Sequence, residues 1–373
     1  MLERIGLLLL SSILSLAIGE ILVRAFTYFP ISFTSNKVPD PELSYRLDPK
    51  FPEVDRSGFR NPEFKDAAPP AVDLAALGDS HTFGNNVTSD SSWPKILGKR
   101  LGKSVYNFGV PSYGIYQYQR LFYRALKLNP RWIIIALYPA NDLVYNCTLL
   151  DLPYWQKRFS SDLKLPATGP CVRQRQRARA VDQKRPNVFE RFGEWLNTHS
   201  AVISLISYYG REATQNWSDY HFVSGKFRTN VSVKRARQHQ RATDQRLEWI
   251  RTHFDNSLVL FDEMAKQAQQ AHVRLGVLVI PSQERVVMNF AAKQGVRVAP
   301  PLPSFLREEA LTKDYLKFFS SRKIPAVDVL GSMVELLGRA AVSGEQVYPN
   351  GHPLANGYAA YAGAAERLLQ SPP

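Results

Sequence analysis

Short apolar runs alternate with longer amphipathic ones from Ala71 onward, and the two rhythms predict strands and helices in turn. The run "AVDLAAL" stops at Gly78 and reads as a buried strand, and "SSWPKILGKRLG" follows as a helix ended by Gly102. "KSVYNFGV" predicts a second strand, and "IYQYQRLFYRALKLN" a helix closed by Asn129 and Pro130. The clearest strand is "RWIIIALY", apolar and β-branched without a break, as an inner parallel strand covered on both faces requires. After an interruption the rhythm returns. A helix near "RLEWIRTHFDNSLVLFDEMAKQAQQAH" leads to a strand "VRLGVLVI", a helix around "TKDYLKFFSSR", a strand "IPAVDVL" and a last helix in "PLANGYAAYAGAAERLLQ". Five strands separated by helices predict an α/β fold, with a doubly wound, mainly parallel five-stranded sheet of the flavodoxin-like kind.

Three stretches break the rhythm. The chain opens with "IGLLLLSSILSLAIGEILVRAFTYF", apolar from Ile5 to Gly19, interrupted by Glu20, then apolar again to Val23. With Arg4 ahead of it, residues 1–29 read as a signal anchor or a signal peptide. The run approaches the roughly 20 residues of a membrane span, while Ala17, Ile18 and Gly19 suit a small-residue cleavage site. A retained anchor is the expectation: an N-terminal membrane helix, with the rest of the chain outside the cytoplasm, periplasmic or at the cell surface. The flanking charges, Arg4 against Arg24 and Lys37, set no clean orientation. Residues 30–70, rich in proline and charge, suit an extended connector laid over a domain. Residues 71–149 then form the first part of the core, 150–246 a basic insertion or lid ("VRQRQRARAVDQKR", "VSVKRARQHQRATDQR"), and 247–373 the second part.

Composition narrows the function classes. Of 373 residues 45% are hydrophobic and 21% charged, which excludes a chain disordered throughout. The net charge of +14 draws the protein toward anionic surfaces, whether nucleic acid, phospholipid or acidic polysaccharide. No zinc-ligand spacing, RNP-like aromatic set or helix-turn-helix pattern accompanies that charge, so nucleic acid is not an expected partner. The insertion reads either as a surface facing lipid or an acidic glycan, or as a solvated helical face. Cys147 and Cys171, the two cysteines, either close the loop between them as a disulfide in an oxidising compartment or remain buried thiols. Histidines 199, 221, 239, 253 and 272 lie without ligand spacing, and neither a metal nor another cofactor is expected.

Ligands of an open parallel sheet bind beyond the carboxyl ends of its strands. Gly78, Asp79 and Ser80 follow the first strand, Asn107 to Gly109 end the second, Ala140 to Asp142 follow the third, and Asn350 to His352 precede the last helix. Acyl transfer needs a hydroxyl to attack a carbonyl and a base to take its proton, roles for Ser80 and His352. It also needs donors aimed at the oxyanion; the backbone N–H groups of Ser80 and Gly109 and the Asn141 carboxamide are the candidates. Asp142 is expected to cap the segment after it, and His81 to be a packed or exposed side chain.

The blocks "GDSHTFG", "YNFGVPSYG", "YPANDL" and "YPNGHPLANGY" resemble those of the SGNH/GDSL hydrolase superfamily, in family order and over residues 71–369 with the insertion set aside. The resemblance implies that Ser80 is the nucleophile, that Gly109 and Asn141 complete the oxyanion hole with Ser80, and that His352 is the base. Two of the blocks depart from the pattern. Ala140 stands where a glycine is usual, and Asn350 and Pro349 stand where the family places an aspartate before the histidine. Asn350 can hold the imidazole tautomer but brings no charge to the imidazolium; Asp328 is a candidate substitute carboxylate. The resemblance implies an ester hydrolase for O-acyl groups, acetyl foremost, of a cell-envelope glycan or lipid. Polysaccharide O-acetyl transfer is the alternative, and a non-catalytic glycan-binding protein the third reading.

Overall fold

Five strands form one parallel sheet: β1 (Leu74–Leu77), β2 (Val105–Asn107), β3 (Trp132–Leu137), β4 (Arg274–Val279) and β5 (Ala326–Asp328). Their spatial order is β2-β1-β3-β4-β5, and every adjacent pair is parallel. Each strand lies within an apolar run that predicts it. In β3 all of Ile133, Ile134 and Ile135 are buried, which a strand achieves only when helices cover both faces. On β4, Gly276 lets a helix approach closely: a Cβ there would lie 2.8 Å from Leu368 Cδ2, on the helix Ala355–Leu369. Strand order reverses at β1, flanked by β2 and β3, so a crevice opens where β1 and β3 end.

The computed structural model describes residues 2–26, 37–144, 149–172, 220–296 and 304–370, less Pro52, Ala68 and Pro70, together with Val188, Phe192, Ser200, Val202, Ile203 and Ile206. The chain divides into two units, residues 1–37 with 178–217, and residues 38–177 with 218–373; the second contains the sheet.

The expected connector is more than an overlay. Lys37–Asp40 and Ser44–Leu47 pair as a two-stranded sheet, and Leu43, Leu47, Val54 and Phe59 are buried. The region expected as one basic insertion divides. Helix Pro153–Ser161 seats the buried Trp155 against Tyr116, with ring centroids 5.0 Å apart. The antiparallel strands Tyr220–Ser224 and Phe227–Val231 and the helix Val233–Ala242 bury Phe222, Phe227, Val231 and Ala236 in the same apolar cluster as the sheet. Residues 173–185, most of the first basic run, lie outside the described residues.

At the N-terminus a helix does form, over Leu2–Phe26, as the apolar run predicts. Among the described residues, however, no helix is long and apolar enough to cross a membrane, so the expected N-terminal membrane helix is not supported. Glu20 interrupts the run, and its carboxylate accepts from Ser200 Oγ at 2.9 Å and the Val202 N–H at 3.2 Å, a local bonding pattern that a bare lipid span would lack. Cys171 is buried and disulfide-bonded; Cys147, the other cysteine of the chain, lies outside the described residues.

Candidate active site

β1 ends at Leu77 and Gly78 turns the chain, because a Cβ there would sit 2.9 Å from Thr82 Cβ and 3.1 Å from the Ala136 carbonyl. Asp79 caps the single helical turn Ser80–Phe83, its Oδ1 accepting from the His81 N–H at 2.9 Å. Gly84, at φ 87°, closes the turn by donating its N–H to the Ser80 carbonyl. Ser80 therefore stands at the start of a helix, where backbone N–H groups lack helical partners.

Arg60 ties this turn down, and no motif in the sequence marks it. Its Nη1 donates to the carbonyls of Phe83 (3.1 Å) and Gly84 (2.9 Å), its Nη2 to that of Val87 (2.8 Å), and its Nε to Glu53 Oε2 (2.7 Å). The guanidinium also lies 4.5 Å from the Phe83 ring centroid. Beside it Asn61 continues the end of β2, accepting from the Asn107 N–H at 2.8 Å and donating to the Asn107 carbonyl at 3.0 Å. Both residues hide in a stretch whose proline and charge predict only a connector.

His352 Nε2 lies 2.8 Å from Ser80 Oγ, so the structure brings together two residues far apart in sequence. Ser80 Oγ also lies 3.3 Å from Asp79 Oδ2. The His352 ring is half-buried and tilted against that of His81, centroids 4.8 Å apart; His81 is itself buried against Tyr138 at 4.4 Å. Burial, then the charges of Arg235 and His239, push the His352 imidazole down to about 3. His352 is thus neutral and able to accept a proton at pH 7. Asp79 is pushed up to about 6 by burial, against the bonds from the His81 N–H, Ser80 and Asn141 that favour its charged form.

Asn350 does not orient the ring. Its Oδ1 accepts from the His352 backbone N–H at 2.9 Å and from Asn86 Nδ2 at 3.0 Å, and its Nδ2 donates to Asn86 Oδ1 at 3.3 Å. The carboxamide turns back on its own loop, an arrangement common for asparagine two residues before an N–H. Asp328 is equally committed elsewhere, to Arg285 Nη1 and Nη2 at 3.2 and 2.7 Å and to the Leu330 N–H at 3.0 Å. Among the described residues no side chain hydrogen-bonds His352 Nδ1.

The oxyanion candidates separate as well. Asn141 follows β3 in a turn and its carboxamide bonds Asp79, while its Oδ1 is buried without a partner among the described residues. Gly109 differs from the expectation: its N–H donates to Asn107 Oδ1 at 2.8 Å and is spent there. The glycine serves close approach instead, since a Cβ at 109 would lie 2.6 Å from the Thr82 carbonyl carbon. Beyond it the loop bends at Ser112, whose φ of 67° is a strained conformation for a residue with a side chain. Asp142 braces the loop against the end of β3 and the helix that precedes it, accepting from the Tyr138 N–H at 2.8 Å and from Tyr118 Oη at 2.9 Å.

Among the described residues no group of three or more His, Cys, Asp or Glu side chains could hold a metal ion. A cavity of about 670 Å³ opens at the amino ends of β1, β3 and β4, lined by Leu74, Trp132 and Arg274, away from Ser80.

No family model and no curated protein matches the chain. Solved structures do. A GDSL-like lipase from Bacteroides thetaiotaomicron is 10% identical, over 80% of this chain and 87% of its own, with a TM-score of 0.35. A member of the lipolytic protein G-D-S-L family from Veillonella parvula is 10% identical, over 80% of this chain and 98% of its own, at 0.36. A catalytic mutant of an acetylxylan esterase from Geobacillus stearothermophilus is 11% identical, over 82% of this chain and 97% of its own, at 0.37. Three of the solved structures that the chain resembles carry the G-D-S-L name.

Proposed function

We propose that the chain is a serine ester hydrolase that works through an acyl-Ser80 intermediate. The observation that carries this reading is the 2.8 Å contact of Ser80 Oγ with His352 Nε2. As Oγ attacks the ester carbonyl, its proton passes to Nε2, and the tetrahedral intermediate collapses by giving that proton to the departing alcohol. Water then attacks the acyl-serine and the cycle reverses, with Nε2 again taking a proton and returning it to Oγ. The Ser80 N–H and the Asn141 carboxamide N–H are the donors for the oxyanion.

The imidazolium of this cycle meets the positive charge of Arg235 and, among the described residues, no carboxylate at Nδ1. In serine proteases, replacing that carboxylate by an amide lowers kcat about 10⁴-fold. Slow turnover is therefore expected. The substrate we propose is an O-acyl ester of a cell-envelope glycan or lipid, with acetyl as the acyl group. The disulfide-bonded Cys171 supports folding in an oxidising compartment.

The test is release of p-nitrophenol from its acetate by the protein and by Ser80→Ala. Loss of release in the variant supports the reading, and equal release refutes it. One observation favours a second reading, a binding protein on this scaffold: among the described residues no side chain partners His352 Nδ1. A fluorophosphonate that labels the protein but not Ser80→Ala argues for catalysis; no label argues for binding alone.

A further inference from the structure

Arg235, on the helix Val233–Ala242, brings charge to His352 together with His239 of the same helix. Its guanidinium lies against the backbone of Gly351, immediately before the histidine. A Cβ at 351 would be 2.7 Å from Nη1, 2.9 Å from Cζ and 3.0 Å from Nε, three near-equal distances that lay the planar group face-on over the glycine. Any side chain at 351 would displace it. The other edge of the guanidinium is anchored: Nη2 donates to Gln283 Oε1 at 2.9 Å and Nε to Glu284 Oε1 at 3.4 Å.

Those anchors are rigid. Gln283 and Glu284 are each 1% exposed. Gln283 donates in turn to Thr229 Oγ1 and the Asn230 carbonyl at 2.9 and 3.0 Å, and Glu284 also faces His239 Nδ1 at 3.2 Å. Glu284 is held ionised, down to about 2, by the charges of His239 and Arg235 against its burial. One edge of Arg235 is thus fixed to a buried frame. Its side chain is still 27% exposed, and among the described residues Nη1 makes no hydrogen bond. An arginine held this way presents its free Nη1 edge from a fixed position, which suits a carboxylate better than a mobile lysine would.

We propose that Arg235 selects, for the Ser80 site, esters that carry a carboxylate close to the acyl group being cleaved. This rests on the reading of Ser80 and His352 as an ester-cleaving pair. The placement also accounts for an arginine kept beside a base whose protonated form it disfavours: its charge meets the substrate's. A sugar acid and a carboxylated lipid headgroup share this chemistry.

The test compares 4-acetoxybenzoate with its methyl ester, which share acyl group and phenolic oxygen and differ in one charge. Formation of the free phenol at pH 7 gives kcat/KM for each. The wild-type protein is expected to prefer the anion by roughly tenfold to a hundredfold, the range of a hydrogen bond to a charged group. Arg235→Gln should bring the ratio to about one and Arg235→Lys should keep part of it. Arg237→Gln, exposed on the same helix, should leave both rates unchanged. Cleavage of the methyl ester by Arg235→Gln shows that the variant is folded. Should that variant not fold, a wild-type preference that does not fall with added salt overturns the proposal. A wild-type protein that cleaves both esters without preference, or an Arg235→Gln variant that keeps the preference, overturns the role of Arg235 alone. Cleavage of neither ester, with no labelling of Ser80, overturns the hydrolase reading and this inference with it.

Discussion

Ser80 stands in a turn pinned from several directions, whereas His352 stands on a short loop held mainly by Asn350 and Asn86. On the serine side, the Asp79 carboxylate, the Gly84 N–H and the buried Arg60 guanidinium fix both ends of one helical turn, and all these bonds are shielded from water. On the histidine side, Asn350 accepts from the His352 N–H and Asn86 donates to the His352 carbonyl at 3.0 Å, but among the described residues the ring itself is bonded only through Nε2. The nucleophile is positioned before substrate arrives; the base is positioned partly by the nucleophile. Stability changes should therefore concentrate at the serine, and changes of activity or specificity at the histidine.

Arg60→Ala breaks the comparison hardest. It removes a buried cation that serves three carbonyls and leaves Glu53 without its partner, so a loss of about 3 to 5 kcal/mol in unfolding free energy is expected. Urea denaturation measures it, and Arg60→Lys should recover only a part because one ammonium cannot span Glu53 and the carbonyls together. Gly109→Ala comes next. The new methyl would be driven into the Thr82 backbone, with a cost of about 1 to 3 kcal/mol as the β2 loop and the nucleophile turn separate. A melt following intrinsic fluorescence checks the stability, and p-nitrophenyl acetate cleavage should fall with it.

Asp79→Asn sharpens the serine side from the opposite direction. Asparagine keeps an acceptor for the His81 N–H. The carboxyl is pushed from 3.8 to about 6 in the fold, so its ionised form opposes folding above pH 6, and that penalty is absent below about 3.8. The variant is expected to be more stable than wild type at pH 7 by about 1 to 2 kcal/mol, with a smaller gain at pH 5. Equal gains at both pH values would show that the charge of Asp79 is not what the fold resists.

The same contrast explains what could be read from the sequence. "RWIIIALY" announces β3 because an unbroken β-branched run fits only a strand covered on both faces, and Ser80 and His352 follow from their places at the ends of such elements. Asn350 could not be read, because an asparagine near a histidine can bond the ring or the backbone, and the path of the loop decides. Gly109 was legible as a necessary glycine, but the reason is its contact with Thr82 rather than a free N–H. Arg60 and Arg235 sit in charge-rich stretches where most arginines are solvated, and composition carries no mark for the one that turns inward. In the N-terminal run the helix was legible from its apolar residues, while the bonds of Glu20 to Ser200 and Val202 join segments nearly the length of a domain apart in sequence.

Asn350→Asp is the smallest expected effect and the most telling about the base. An aspartate at 350 restores the residue type that SGNH-like sequences carry before the histidine. In this loop its oxygens would keep the His352 N–H and Asn86 Nδ2, losing only the donation to Asn86 Oδ1. No oxygen would then reach Nδ1, although the added charge would favour the imidazolium that Arg235 disfavours. A change in kcat/KM for p-nitrophenyl acetate of less than about tenfold, or 1.4 kcal/mol in the barrier, is expected. A gain of the order of 10³ to 10⁴ would mean that residue 350 turns onto the ring during catalysis. The histidine loop would then be as determinate as the serine turn once a carboxylate is present, and the asymmetry between them would come from one amide group rather than from the fold.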